Sequence, residues 1–122
     1  MSEFSEIVSE IIKATVCQDH LWLRGAVQEF IRMQPRLIDV QQPEVESQFD
    51  LVIAAGIMEL LAMRINQEPP AWTAKVGGLS EPYFLVSAAE RMPNTRIMCE
   101  QESPEPLRKR NLFAPPQFLT WA

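Results

Sequence analysis

A mostly α architecture in one domain, residues 1–122, is expected from three features of the chain. Apolar residues recur every three or four positions through three stretches of the first 67 residues. The ten prolines lie mainly between and after those stretches, where they end helices rather than break them. At 122 residues, 47% hydrophobic and 22% charged, the chain has enough apolar surface to bury a core. The expected shape is a compact helical body over residues 3–67 with three longer helices. A proline-rich, irregular half over residues 68–122 wraps it.

The first helix is expected over residues 3–17. Phe4, Ile7, Val8, Ile11, Ile12 and Val16 share one face, with Glu3, Glu6, Glu10 and Lys13 between them. Ser2 or Ser5 is placed to cap its start. Asp19 reads as the N-cap of a second helix, whose apolar face is Leu21, Leu23, Ala26, Val27, Phe30 and Ile31. Pro35 ends that helix, because proline disfavours helical geometry in the residue before it. Arg36 to Gln42 form a connection.

Pro43-Glu44-Val45-Glu46 opens the third and longest helix, with proline and acids in the first turn. Val45, Phe49, Val52, Ile53, Ile57, Leu60 and Leu61 follow at helical spacing. Ala54, Ala55 and Gly56 let a neighbour approach closely. Ala62, Met63 and Ile65 make the helix apolar nearly all round, which places it at the centre of the fold. It stops by Asn66-Gln67-Glu68, ahead of Pro69-Pro70.

The second half has shorter elements. Pro70-Ala71-Trp72 starts a short helix running to Val76, and Gly77-Gly78 is a turn. Tyr83 to Val86 and Arg96 to Cys99 read equally as strand or helix. Ser87 to Met92 makes one or two helical turns. Ser103-Pro104-Glu105 begins a short helix carrying Leu107 and ending at Asn111, a residue that tolerates a left-handed cap. Pro115-Pro116 starts a last turn.

Charge and targeting signals narrow the function classes. The net charge is -5, with 5 basic and 11 acidic side chains in residues 1–70 against 6 and 5 in residues 71–122. An acidic body argues against non-specific binding to nucleic acid or to an anionic membrane. The longest apolar run, Leu51 to Met63, contains Glu59 and falls short of the roughly 20 residues of a membrane span. Met1 to Glu6 carries acids where a signal peptide needs basic residues, and Cys17 and Cys99 make no disulfide framework. A reduced, cytoplasmic protein is the expectation.

Chemistry-bearing constellations are sparse. Cys17-x-x-His20, with Cys99 and Glu100 remote, is one ligand pair where a structural zinc site wants two. The plain reading is a packed thiol and an exposed loop histidine, with no metal and no cofactor. His20 is the only histidine. A small hydrolase or transferase built on it would need a carboxylate beside it, from Asp19, Asp39 or Asp50. Glu59 either lies on a wet stripe of the third helix or makes a buried ion pair, with Arg24 or Arg32 in reach.

Arg108-Lys109-Arg110 is the only basic cluster. Its readings are local capping and pairing with Glu100, Glu102 or Glu105, partner docking, or weak nucleic-acid binding. The tail beyond it carries Leu112, Phe113, Phe118, Leu119 and Trp121, which must bury against the rest of the chain or against a partner. The partner-binding candidates are Arg108, Arg110, Leu112, Phe113, Phe118 and Trp121.

Pro70-Ala71-Trp72-Thr73, Glu81-Pro82-Tyr83-Phe84 and the run from Ser103 to Phe113, with its Arg110-Asn111-Leu112-Phe113 turn, together resemble a bacterial domain of unknown function. That family occurs as a small stand-alone protein and behind helix-turn-helix segments in antitoxin-like regulators. The resemblance covers roughly residues 50–122 and implies a non-enzymatic, helical partner of another bacterial protein, such as a toxin. Residues 1–50 depart from it, with no recognisable DNA-reading helix-turn-helix. The expected function is a protein-interaction module, antitoxin-like or an accessory subunit. Its partner is another protein or a second copy of the chain, with nucleic acid disfavoured and no membrane.

Overall fold

The computed structural model describes residues 4–122, so the proposed cap Ser2 and the helical Glu3 lie outside the described residues. The fold is mostly α. Helix α1 spans Ser5–Val16, with Ser5 inside it rather than capping it. Helix α2 spans His20–Arg32, and Asp19 caps it by accepting from the Trp22 N–H at 3.0 Å. Its end comes earlier than Pro35 alone implied. Met33 is the C-cap, and Gln34 turns the chain at φ 53°. The following connection contains one 3-10 turn, Leu37–Asp39.

Helix α3, Gln48–Arg64, starts five residues later than the Pro43 signal implied. The Ser47 hydroxyl accepts from the Asp50 N–H at 3.1 Å and defines the start. A side-chain cap satisfies an orphan donor, which proline at the first turn only avoids exposing. Residues 41–46 therefore stay non-helical. Every residue of α3 from Val52 to Ala62 is buried, Gly56 and Glu59 included. Helix α1 packs on α2 and on α3, making α3 the axis of the core.

The second half wraps α3 as expected, with more helix than its prolines suggested. After a 3-10 turn at Ala71–Lys75 come strand β1 (Tyr83–Phe84) and helix α4 (Ala88–Arg91). Helices α5 (Pro93–Glu102) and α6 (Glu105–Arg108) and strand β2 (Leu112–Phe113) follow. The two ambiguous segments resolve differently. Tyr83–Phe84 is strand, pairing in parallel with Leu112–Phe113, whereas Arg96 to Cys99 is helix. Pro93 at the first turn pre-sets helical geometry for α5, and the i,i+4 pair Arg96–Glu100 at 3.0 Å supports it. Among the described residues no helix is long and apolar enough to cross a membrane.

The halves share one core. Gln67 ties the end of α3 to the connection after α2, accepting from the Leu37 N–H at 2.9 Å and donating to the Pro35 carbonyl at 3.1 Å. The Trp72 indole N–H reaches the Val40 carbonyl at 2.9 Å. Arg64 donates to the Phe118 carbonyl at 2.8 Å and the Pro116 carbonyl at 2.8 Å, pinning the last turn onto α3. Ser103, itself buried, accepts from the Ala114 N–H at 2.9 Å and donates to the Cys99 carbonyl at 2.6 Å.

The Gly77-Gly78 turn separates its two residues sharply. A Cβ on Gly78 would sit 2.7 Å from the Arg110 Cα and 2.9 Å from its carbonyl carbon, whereas one on Gly77 would meet nothing within 4 Å. Backbone cannot give way as a flexible side-chain end does. Gly78→Ala is therefore expected to destabilise by about 1–3 kcal/mol. Gly77→Ala stays within about 0.5 kcal/mol. Thermal denaturation of the two variants side by side checks this.

Candidate functional site

The densest chemistry in the fold sits where the tail crosses α3. Gly56 has no side chain, and a Cβ there would lie 3.0 Å from Leu112 Cδ1 and 3.1 Å from Leu107 Cδ2. The small residue lets both leucines seat on the helix. Glu59 is three residues on, on the same face of α3. Arg110 lies between the two leucines in sequence, so seating them carries its guanidinium onto Glu59. Asn111 then turns the chain at φ 64°, the left-handed conformation its sequence position promised.

The contact is bidentate. Arg110 Nη1 donates to Glu59 Oε1 at 2.8 Å and Nη2 to Oε2 at 3.0 Å. The same nitrogens also donate to the Pro106 carbonyl at 3.0 Å and the Thr73 carbonyl at 2.8 Å. Lys109 Nζ adds a second cation 2.7 Å from Glu59 Oε1. The Arg110 side chain is 3% exposed and that of Glu59 9%, so the pair is largely removed from water. Among the described residues Arg110 Nε is the one buried side-chain nitrogen or oxygen without a hydrogen-bond partner.

Burial alone would raise the Glu59 pKa. The hydrogen bonds from Arg110 and Lys109 outweigh it and hold the carboxyl at about 2, against 4.5 for an unperturbed group. A folded-state pKa below the unfolded one stabilises the fold above pH 4.5, and that contribution is lost as pH falls towards 2. The loss is expected to reach about 3 kcal/mol. Urea titrations of wild type and Glu59→Gln between pH 5 and the acid limit measure it. The wild type should show the loss, and the variant should lack this component.

The wet-stripe alternative for Glu59 is therefore not the one found, and its partner is not Arg24 or Arg32. Arg24 instead lies over the Trp121 ring at 5.7 Å, and Arg32 pairs with Glu29 within its own helix. The basic cluster does not form one patch. Lys109 and Arg110 are committed to Glu59, while Arg108 is exposed and donates to the Gln101 carbonyl at 3.3 Å. The expected pairing of the cluster with Glu100, Glu102 or Glu105 gives way to a carboxylate fifty residues upstream.

The six partner-binding candidates divide. Arg110, Leu112 and Phe118 are buried within this chain and present no surface to a partner. Phe113 and Trp121 are half-buried, and Arg108 is exposed. The Phe113 ring lies against Phe84 at 5.5 Å, and Arg96 covers the Phe84 ring at 5.0 Å. The tail aromatics thus spend most of their apolar surface on the protein's own core.

His20 is the first residue of α2, not a loop residue. It lines a pocket of about 210 Å3 together with Asp19, Ser87 and Arg91. Asp19 is occupied in capping α2, and among the described residues His20 makes no hydrogen bond or ion pair with a carboxylate. A base without its orienting acid is not arranged as a triad requires. Cys17 is exposed rather than packed, and Cys99 is the buried thiol. Among the described residues no three His, Cys, Asp or Glu side chains gather as metal ligands would.

Sequence reasoning missed a surface on α2. The buried residues Leu23, Ala26, Val27 and Phe30 mark one face of the helix. Leu21 projects on the opposite face and is 85% exposed, with Trp22 exposed beside it and Met33 exposed at the far end of the helix. Gly25, one turn on from Leu21, has open space around it. The signal was present in the sequence, because at 100° per residue Leu21 falls opposite Phe30 and cannot share its face. Comparison of the chain with protein-family models, curated proteins and solved structures finds no match.

Proposed function

We propose that the chain is a non-enzymatic protein-interaction module, an antitoxin-like protein or accessory subunit of the bacterial cytoplasm. Its partner meets the outer face of α2. The observation that carries this reading is Leu21, an aliphatic side chain 85% exposed in the first turn of α2 next to the exposed Trp22. Burying such a residue against a partner contributes about 1.5–3 kcal/mol, enough to make it a hot spot. Gly25 beside it admits a closely packed partner element. Trp121, held under Arg24, extends the same region with an aromatic from the tail. The C-terminal pattern that resembles antitoxin-like proteins supports a toxin as the partner class.

The test is co-purification of the chain from its native host, with sedimentation of the purified protein over a wide concentration range. Wild type is expected to carry a stoichiometric partner or to self-associate, and Leu21→Glu is expected to lose that association while keeping its thermal stability. A clean monomer with no partner at any concentration would overturn the proposal.

A further inference from the structure

We infer that the acidic hollow between the start of α1 and the segment entering α3 binds an extended, cationic peptide segment of a partner protein. This rests on the reading of the chain as an interaction module, but uses a surface other than the α2 face. The hollow has a volume of about 350 Å3 and an apolar floor that includes Phe4, Val8 and Val40. A second hollow of about 500 Å3 shares Gln42, Pro43 and Glu44 with it and continues past Glu46 to Leu51. Together they make a groove along residues 41–46.

Three observations specify the occupant. First, among the described residues no Lys or Arg lines either hollow, and Glu44 and Glu46 are exposed on its wall and make no ion pair. Second, Glu44 and Glu46 alternate with the half-buried Pro43 and Val45. Both carboxylates therefore stand in solvent while the two residues between and before them are partly covered. Third, no backbone N–H or C=O of residues 41–46 bonds within the chain among the described residues. Exposed backbone with unpaired N–H and C=O groups is open to main-chain hydrogen bonds from an added segment. A partner segment lying along it would take main-chain hydrogen bonds from residues 41–46. Its cations would meet Glu44 and Glu46, and alternate apolar side chains would enter the hollow.

The probe is a short synthetic peptide of alternating Lys and Val, titrated into the full chain and followed by NMR and calorimetry. Shifts are expected at residues 41–46, Val8 and Leu51. Glu44→Lys with Glu46→Lys should weaken binding at least about ten-fold, against less than about two-fold for a charge-matched Glu90→Lys with Glu102→Lys control. Both pairs are exposed, and melting curves check that both variants remain folded. Equal weakening by the two variants, equal binding of a Gln-Val peptide, or shifts scattered over the surface would overturn the proposal. So would concentration-dependent shifts at residues 41–46 without peptide, which would assign the groove to a second copy. A failed peptide titration beside loss of a native partner in Leu21→Glu refutes the groove alone and leaves the functional reading standing.

Discussion

A chain ending at Glu102 is expected to lose its cooperative unfolding transition. The removed residues include Leu107, Leu112, Ala114, Phe118 and Leu119, all buried in the core. Deleting a buried Leu or Phe side chain costs about 2–5 kcal/mol. Four such losses together match or exceed the roughly 5–15 kcal/mol that holds a typical domain folded. The truncation also uncovers Gly56 and leaves Glu59 buried without Arg110 or Lys109. Helices α1 to α3 keep their local propensity, so the fragment should retain far-UV helical signal. It should lose near-UV signal and bind a hydrophobic dye. A truncated chain with an intact, sharp melting transition would mean that the tail is an appendage.

Glu59→Ala is expected to destabilise the full chain by about 3–5 kcal/mol, because it leaves the Arg110 guanidinium buried and uncompensated. Lys109 is nearly half exposed and recovers its hydration, so the penalty falls on Arg110. In a domain of this size the melting temperature should fall by roughly 10 °C or more. Replacing both partners separates pair from burial. Glu59→Leu with Arg110→Met removes both charges while keeping apolar volume, and should recover most of the stability lost in Glu59→Ala. If the double variant is as unstable as Glu59→Ala, the loss is one of packing and not of an orphaned charge.

Local signals carried the fold a long way. Periodicity placed α1 and α2, and the absence of a polar face placed α3 at the centre. Asp19 and Asn111 act within a turn or two of themselves, so cap and left-handed turn were readable from neighbouring residues. The start of α3 was misplaced because Pro43 and Ser47 both carry start signals, and only the Ser47 hydroxyl satisfies a donor. The strand character of Tyr83–Phe84 depends on Leu112–Phe113, a partner chosen by tertiary approach.

The candidate site was less legible for the same reason. A carboxylate within the apolar middle of a helix demands a cation, but spacing along the chain does not say which one. The answer lay 51 residues away, and it needed the knowledge that Leu107 and Leu112 seat on Gly56. Hydrophobicity marked Leu112 and Phe118 as residues that must be covered, and it is indifferent to whether the cover is the protein itself or a partner. Conversely, Leu21 counted as part of an apolar face until the buried stripe of α2 fixed which side is inward.

The tail, residues 103–122, is expected to belong to the same cooperative unit as α3. Native-state hydrogen exchange tests it directly through three amides that bond to the tail. These are Leu79 to the Arg110 carbonyl at 2.9 Å, Tyr83 to the Asn111 carbonyl at 2.9 Å and Leu85 to the Phe113 carbonyl at 2.8 Å. They should open with the same free energy as the amides in the middle of α3, by global unfolding. Exchange of all three at a much lower free energy, with α3 still protected, would contradict it.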